Sequence, residues 1–320
     1  MFFVELKYMN LAIIGCGEIG RRHLQSVLNL DIYVNIILVD RSNECLEKCR
    51  NIIKISSSKI FFSFYSNIEQ IIQKIDFAII ATNSDTRFEA INSLYNQSKP
   101  KYIILEKFLF NKLEQYSAAK NLFKINSTKV WVNQWVNTEF VEFMKIFRKY
   151  EINNIEIKGK NWNLCSNSVH YIDWFHLVSK RKKIKVIENK FKKPITKNKR
   201  VGFYDIGGTL KIYLANNSKI IFSSKKKINK NHIFIGNKHF NWKIYEKNLE
   251  ALRSDGLKIK IKIPLTSTIM KKIINNIFTK GICGLPKLEE VVDNHNILIK
   301  NLKQHWLKAN QKKISNLPVT

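Results

Sequence analysis

The sequence predicts an α/β protein in two parts: a doubly wound parallel sheet, then an α+β domain with an open, mostly antiparallel sheet. In the first part, short apolar runs alternate with helical segments, which is typical of strands in a parallel sheet. In the second part, strand-like segments are closely spaced. The apolar runs of the first part are Leu11–Ile14, Ile36–Val39, Ile60–Phe64, Phe77–Ile80, Tyr102–Leu105 and Val130–Val132.

The second part differs because most of its strand-like segments follow one another without a helix between them. A helix over Val141–Tyr150 is expected to lead into it, and another is expected near Val169–Ser179. Two helices that follow prolines, Leu265–Phe278 and Leu288–Leu307, are expected to end the chain. The strand-like segments are Ile155–Lys158, Leu210–Leu214, Lys219–Phe222, His232–Ile235 and Leu257–Ile261.

The first apolar run ends in three glycines with the spacing G-x-G-x-x-G. Gly15 allows the backbone to turn sharply out of a strand, and Gly17 leaves room for a pyrophosphate against the main chain. Gly20 allows the following helix to pack on the strand. This spacing predicts a dinucleotide site of the Rossmann type. Its candidate cofactor-binding residues are Gly15, Cys16, Gly17, Glu18, Ile19 and Gly20.

The second apolar run is followed by an acidic residue, Asp40, about 20 residues after Gly20. A carboxylate at the tip of this strand can accept hydrogen bonds from the adenosine ribose hydroxyls, and it repels the 2′-phosphate of NADP. Arg41 leaves the alternative open, because a guanidinium can stack on adenine or neutralise that phosphate. We therefore predict NAD as the cofactor, with NADP as the alternative.

Polar residues follow the fourth and fifth apolar runs, where the carboxyl ends of the strands are expected. Ligands bind at this edge of open α/β sheets. We therefore predict that Ala81, Thr82 and Asn83 after the fourth run, and Glu106 and Lys107 after the fifth, contribute to cofactor binding.

Five segments together resemble the Gfo/Idh/MocA family, named after glucose-fructose oxidoreductase and inositol dehydrogenase. The resemblance implies a Rossmann domain that binds the nicotinamide cofactor, over residues 1–130. It implies a substrate-binding and dimerisation domain over residues 131–320, and a homo-oligomer, either a dimer or a tetramer. The segments are Gly15–His23, Ala81–Asp85, Ile104–Lys107, Asn167–Asp173 and Leu285–His295.

The resemblance also implies roles in the reversible oxidation of a sugar or cyclitol alcohol. Lys107 would hydrogen-bond the reacting hydroxyl and the nicotinamide ribose, and His170 would remove the hydroxyl proton. Imidazole suits this step because its pKa lies near neutrality. Asp173 follows His170 by three residues on the same helical face, so it could orient the imidazole or bind a substrate hydroxyl. Glu106 is expected to brace the strand end.

The segment around Trp162 resembles family members of surface-polysaccharide pathways. Trp162 could stack on a sugar or a base, with core packing as the alternative, and Asn163 or Asn167 could bind hydroxyls. We therefore predict an NAD(P)-dependent dehydrogenase that acts on a sugar or nucleotide sugar, in surface-polysaccharide biosynthesis. The candidate substrate-binding residues are Lys107, Asn133, Trp162, Asn167, His170 and Asp173.

Two positions differ from the family pattern and support an alternative. Phe108 stands where the family usually has proline after the Glu-Lys pair, and Ser166 stands where many members have an aspartate. A catalytically inactive NAD-binding sensor or assembly protein of the same fold is therefore the second interpretation.

Composition narrows the other function classes. The net charge is +30, but 46 of the 55 basic residues are lysines and no nucleic-acid-binding motif is present, so we expect only non-specific attraction to nucleic acid. The five cysteines are odd in number and lack a C-x-x-C spacing, which predicts reduced thiols and no metal site. No apolar stretch approaches the roughly 18 residues of a membrane span, so we expect a cytoplasmic protein without a membrane partner.

Overall fold

The computed structural model divides the chain into two compact units. The first consists of Met1–Asn133 with Pro264–Val292, and the second of Gln134–Ile263 with Asp293–Thr320. The assignment of residues 1–130 to the cofactor and 131–320 to substrate and dimerisation stays a prediction. The predicted helix Val141–Tyr150 lies outside the described residues. These are 8–53, 59–134, 152–160, 162–179, 183–192, 195–198, 200–225, 228, 231–245, 249–261, 266–310 and 316–319.

The first unit contains a six-stranded parallel sheet, which confirms the doubly wound sheet predicted from the apolar runs. Its strands are β1 (Met9–Ile14), β2 (Val34–Val39), β3 (Ile60–Tyr65), β4 (Phe77–Ile80), β5 (Tyr102–Leu105) and β6 (Lys129–Val132). They lie in the order β3-β2-β1-β4-β5-β6, and every neighbouring pair is parallel. Strands β2 and β3 lie on one side of β1 and the last three strands on the other side, so the strand order reverses between β1 and β4. Sheets of this kind bind ligands at the carboxyl ends of the strands beside that point.

Seven helices lie within the described part of the chain, together with a short 3-10 helix at Ile68–Gln70. The seven are α1 (Glu18–Val27), α2 (Asn43–Ile53), α3 (Arg87–Gln97), α4 (Leu113–Ile125), α5 (Leu164–Val178), α6 (Thr266–Lys280) and α7 (Leu288–Asn310). Helix α1 begins directly after Gly17, the residue that caps its N-terminus. The first helical hydrogen bond runs from the Arg21 amide to the Gly17 carbonyl at 3.0 Å. None of these helices is long and apolar enough to cross a membrane.

Helix α6 packs in the first unit although it lies near the end of the chain. Its buried Ile274 and Ile277 share one apolar core with Leu24 of α1 and the strands of the parallel sheet. The Ser26 hydroxyl of α1 accepts a hydrogen bond from the Lys271 amide at 2.9 Å. Burial of the apolar face of α6 therefore fixes α6 against α1, the helix that follows the glycine turn.

The second unit contains an eight-stranded sheet that is antiparallel except for one parallel pair, β7 with β12. This confirms the open, mostly antiparallel sheet predicted for the second part. The order is β16-β15-β14-β13-β7-β12-β11-β8, and β9 and β10 form a separate pair. The strands are β7 (Asn154–Gly159), β8 (Ile184–Phe191), β9 (Thr196–Lys197), β10 (Tyr204–Asp205), β11 (Gly208–Leu214), β12 (Lys219–Ser224), β13 (His232–Gly236), β14 (Asn241–Tyr245), β15 (Glu250–Arg253) and β16 (Lys258–Lys260).

One face of this sheet is buried and the other is more polar. In β7, buried Ile155 and Ile157 alternate with the half-buried Glu156 and Lys158, which form an ion pair at 2.8 Å. Helix α5 contacts β12. The period of two explains why β7, β11, β12 and β13 were recognisable from the sequence, whereas β8, β14 and β15 were not predicted.

Candidate functional site

The three glycines that follow β1 have different steric surroundings. Gly15 has φ of +94°, and a side chain there would place its Cβ 2.8 Å from the Thr82 amide nitrogen. A Cβ at Gly20 would lie 1.9 Å from the Gly15 carbonyl oxygen, whereas a Cβ at Gly17 would meet no atom within 4 Å. Gly15 and Gly20 are therefore needed for the turn itself. Gly17 leaves an open surface that fits a pyrophosphate against the backbone.

Asp40 joins the end of β2 to this turn. One carboxylate oxygen accepts a hydrogen bond from the Cys16 amide at 2.6 Å, and the other accepts one from the Ser42 amide at 2.8 Å. The Cys16 side chain is buried, and a hydrogen bond with the Cys49 thiol, together with burial, raises the pKa of Cys16 well above its usual value. Cys16 therefore supports the turn as a neutral thiol. Glu18 is exposed and pairs with Arg22 at 2.6 Å.

A cavity of about 290 Å³ opens between the glycine turn and helix α3. Three carboxylates line it, Asp40, Glu69 and Glu89, with Arg41 beside them. A hydrogen bond from Ser93 and the charge of Arg41 lower the pKa of Glu69, so this group is ionised at neutral pH. The other lining residues include Gly15, Gly17, Ala81, Thr82, Asn83 and Thr86. The cavity contains the predicted residues after β2 and β4 and can hold the adenosine half of a dinucleotide.

Glu106 follows β5 and is bound on two sides within the first unit. Its Oε1 contacts Nε2 of His23 at 2.7 Å and accepts a hydrogen bond from the Asn133 amide group at 2.6 Å. Burial alone raises the pKa of Glu106, but the contact with His23, the Asn133 amide and the charge of Arg87 together bring it below the usual value. Glu106 is therefore a buried carboxylate anion beside Lys107. The peptide bond from Lys107 to Phe108 is cis.

Helix α5 in the second unit carries His170 and Asp173, and both side chains are buried. Asn163 precedes the helix in a left-handed conformation, with φ of 57°, and its own side chain does not cap the helix. Instead the carboxylate of Asp205 accepts hydrogen bonds from the amides of Leu164 at 3.2 Å and Cys165 at 2.8 Å. A residue far along the chain thus fixes the start of the helix that carries His170.

Asp173 is the centre of a buried polar cluster in the second unit. Its Oδ2 accepts a hydrogen bond from the Gln134 amide at 2.6 Å, and its Oδ1 accepts one from the Asn294 amide at 2.8 Å. Nε2 of His295 lies 3.4 Å from Oδ2. Both oxygens of Asp173 therefore have protein partners. The expected role of Asp173, to orient His170 or to bind a substrate hydroxyl, stays a prediction.

A second cavity, of about 330 Å³, lies in the second unit beside α5 and the ends of β7 and β13. Trp162 lines this cavity, and its indole N–H donates a hydrogen bond to the Ser223 carbonyl at 3.0 Å. The Asn167 amide donates to the Trp162 carbonyl at 2.7 Å. The remaining lining residues are Ile157, Lys158, Asn163, Tyr171, Asn231, His232 and Ile233. Amide groups and an aromatic ring in one cavity are the groups that bind sugars.

The predicted site residues fall into two sets. The cofactor candidates all lie in the first unit, and so does Asn133, whose side chain is bound to Glu106. Trp162, Asn167, His170 and Asp173 lie in the second unit. A joint action of Lys107 and His170 on one substrate stays a prediction.

Sequence reasoning missed several residues that support these positions. Asp205, Gln134 and Asn294 were not among the predicted site residues, because each acts on a partner that is distant in the sequence. His23 closes the glycine motif three residues after Gly20, and this spacing was the available clue to its contact with Glu106.

Comparison with known proteins identifies the first unit. Residues 9–134 match the sequence profile of GFO_IDH_MocA, described as an oxidoreductase family with an NAD-binding Rossmann fold. No curated protein sequence matches the chain.

Solved structures share the fold over nearly the whole chain at low sequence identity. UDP-N-acetylglucosamine 3-dehydrogenase GnnA from Acidithiobacillus ferrooxidans is 10% identical with a TM-score of 0.70, covering 92% of this chain and 96% of that one. An oxidoreductase from Agrobacterium radiobacter, in complex with NAD+, L-tartaric acid and magnesium, is 12% identical with a TM-score of 0.70, covering 96% and 98%. The super-repressor mutant of Gal80p from Saccharomyces cerevisiae is 16% identical with a TM-score of 0.71, covering 98% and 100%.

Profile, glycine turn and sheet order agree. Residues 9–134 therefore form a Rossmann fold that matches the NAD-binding domain of the GFO_IDH_MocA oxidoreductase family.

Proposed function

We propose that the protein is an NAD-dependent dehydrogenase that transfers hydride between the cofactor and a secondary alcohol or ketone carbon of a sugar or nucleotide sugar. The cavity at the glycine turn carries this proposal. It is open beside Gly17, bounded by Asp40, and lies at the carboxyl ends of β1, β2 and β4, where Thr82 lines it. The match of residues 9–134 to an NAD-binding oxidoreductase family supports the same activity.

The charges around the adenosine cavity favour NAD over NADP. A 2′-phosphate would meet the carboxylates of Asp40, Glu69 and Glu89, all of which line the cavity. Arg41 is the cation available to offset them, and its charge already acts on Glu69. Repulsion by the carboxylates therefore outweighs the attraction of one guanidinium.

The proposed chemistry divides between cofactor and protein. The bound nicotinamide supplies hydride acceptance and donation. The Lys107 ammonium donates a hydrogen bond to the reacting oxygen and stabilises negative charge there, while the His170 imidazole takes the hydroxyl proton during oxidation and returns it during reduction. Asp173 keeps its helix in place through its contacts with Gln134 and Asn294.

The cavity of the second unit supports a sugar as the substrate class. Asn163, Asn167 and Asn231 offer amide donors and acceptors, and Trp162 offers an aromatic ring. A structural relative of the chain, GnnA, is a UDP-N-acetylglucosamine 3-dehydrogenase, which fits a nucleotide-linked sugar. We propose surface-polysaccharide biosynthesis as the context, with a cytoplasmic homo-oligomer as the working form.

The test combines cofactor titration with a substrate panel. NADH binding is followed by its fluorescence, and turnover by NADH absorbance with free sugars, inositols and nucleotide sugars. Lys107→Met and His170→Asn should each lower turnover by roughly 10²-fold or more. The dissociation constant of NADH should stay within about threefold of the wild-type value. Lys101→Met, at the opposite end of β5, is the matched control and should keep full turnover. Equal losses of NADH affinity and turnover would contradict the proposed roles.

A second candidate function is an NAD-binding sensor without turnover. Two observations favour this second function. The chain shares its fold with a super-repressor mutant of Gal80p, and Phe108 and Ser166 depart from the family pattern. The same assay separates the two functions, because a sensor binds NADH but gives no absorbance change with any member of the panel at acidic or alkaline pH.

A further inference from the structure

Arg87 is a buried arginine that the proposed chemistry does not use. It is the first residue of α3, and 1% of its surface is exposed. A guanidinium is rarely removed from water unless its donors are occupied. The Arg87 guanidinium donates to three backbone carbonyls, those of Thr82, Phe108 and Leu109, the last at 2.8 Å.

These carbonyls belong to the segments that leave two neighbouring strands. Thr82 follows β4 and lines the cofactor cavity, and Phe108 is joined directly to Lys107. The last backbone bond between the two strand ends runs from the Glu106 amide to the Ile80 carbonyl at 3.1 Å. Beyond it the backbones separate, so their carbonyls need other donors. Arg87 supplies donors to both segments from one rigid plane.

The residues on each side of Lys107 are fixed by different means. Before it, the Glu106 carboxylate is held by His23 and Asn133. After it, the Phe108 carbonyl is held by Arg87, and the Phe108 side chain is fully buried. The backbone of Lys107 is therefore held at both ends.

Charge links the two supports. The positive charge of Arg87 contributes to the lowered pKa of Glu106, so the buried cation and the buried anion stabilise each other. A lysine at position 87 would keep the charge, but its single ammonium lacks the planar fork that reaches three carbonyls.

We propose that Arg87 is a positioning residue for Lys107: its guanidinium ties the segment after β5 to the segment after β4 and so sets where the lysine amine stands relative to the cofactor cavity. This inference rests on the proposed role of Lys107 in catalysis. Loss of the fork releases the backbone after Lys107, while Asp40 keeps its own hydrogen bonds from the Cys16 and Ser42 amides.

The test measures Lys107 directly and needs no substrate. The full-length protein, as Arg87→Met and Arg87→Lys variants, is labelled with an amine-reactive ester, and the rate at Lys107 is divided by the rate at Lys101. Lys101 precedes the same strand at its opposite end and reports any general change. Amide hydrogen exchange is measured in parallel on peptides that cover residues 106–110 and β1. Arg22→Met, which removes an exposed guanidinium, is the matched control.

We expect Arg87→Met to change the labelling ratio by about fivefold or more and to speed exchange over residues 106–110 by about tenfold, with β1 unchanged. Arg87→Lys should shift the ratio in the same direction by about threefold, since the charge remains without the fork. Should Arg87→Met not fold, Arg87→Lys decides by the same readouts. A folded variant with a lower melting temperature but the wild-type ratio and exchange would overturn the proposal, since that is the behaviour of a purely structural arginine.

The result is independent of the proposed dehydrogenase activity. A shifted ratio together with full turnover of Lys107→Met would retain the positioning of Lys107 and refute its catalytic role. An unchanged ratio together with the loss of turnover in Lys107→Met would refute the positioning and retain the catalytic role.

Discussion

Glu106 is a buried carboxylate whose ionised form is favoured by its neighbours. His23 and Asn133 contact the same oxygen, and Arg87 adds a positive charge. Because its pKa in the folded protein is below the value of 4.5 expected for the unfolded chain, the unfolded state binds more protons in this pH range. The resulting stability is present above pH 4.5 and is lost as pH falls through the lower, folded pKa.

Replacement of this carboxylate should therefore reduce both stability and its pH dependence. Glu106→Gln should lower the free energy of unfolding by about 1.5–3 kcal/mol at neutral pH, the usual contribution of hydrogen bonds to a charged group. The difference from wild type should shrink as pH falls below 4.5. Urea unfolding at a series of pH values measures it. A difference that stays constant with pH would mean that the carboxylate is not ionised in the folded protein.

Asp40 determines the charge that the adenosine ribose meets. Asp40→Ala should weaken NADH binding by roughly tenfold, because the ribose hydroxyls lose an acceptor and the Cys16 amide loses its partner. NADPH should lose less, because a carboxylate that repels the 2′-phosphate is removed. Fluorescence titration with both cofactors gives the ratio of their affinities. Glu44→Ala, at an exposed position of α2, should leave the ratio unchanged. A fall in NADPH affinity equal to that of NADH would contradict the repulsion.

At the scale of elements, α5 depends on a cap from outside the helix. Asp205 accepts from the amides of Leu164 and Cys165, and burial raises its pKa. Because the pKa of Asp205 is higher in the folded protein than in the unfolded chain, the folded state binds this proton more tightly. The free energy of unfolding therefore decreases as pH rises from the usual aspartate pKa through the raised, folded pKa. The hydrogen bonds nevertheless satisfy two amides that α5 cannot satisfy itself.

Removal of the cap should destabilise the second unit. Asp205→Ala should lower the free energy of unfolding by about 1–2 kcal/mol, and Asp205→Asn should cost less, because the amide oxygen still accepts one bond without a buried charge. Chemical unfolding followed by circular dichroism measures both variants. Asp255→Ala, on an exposed turn, serves as the control. An equal loss in the alanine and asparagine variants would show that the charge, not the acceptor, stabilises the helix start.

Most elements were predictable because their residues follow a local period. All six parallel strands came from apolar runs, since β1, β2, β4 and β5 are almost completely buried and the edge strand β3 is still rich in apolar residues. Strand β8 was not recognised, because Ile184–Phe191 lies at the edge of its sheet and keeps mostly exposed or half-buried side chains. Apolar and polar residues do not alternate regularly along β8, so the sequence did not indicate a strand there.

At the scale of the whole molecule, the sequence predicted the residues of the glycine turn but not the contacts between distant segments. The turn follows from spacing alone, since Gly15 and Gly20 have no room for a side chain. The contact between Ser26 and Lys271 spans 245 residues and belongs to no local pattern. The same holds for the contact of Asp173 with Asn294. Partners of this kind follow from the complete fold, because burial leaves a polar group only those neighbours that the fold brings to it.

The net charge of +30 also acts on the whole molecule and sets its interaction with polyanions. Lysines spread over the surface attract phosphate without reading bases, so duplex DNA should bind weakly and without sequence preference. Affinity should fall by roughly 10³-fold or more between about 50 and 200 mM salt if six or more phosphates are contacted. Filter binding with two unrelated duplexes over this salt range measures it, and NADH should not change the result. Retention of one duplex at the higher salt would indicate specific recognition, which a charge field alone does not provide.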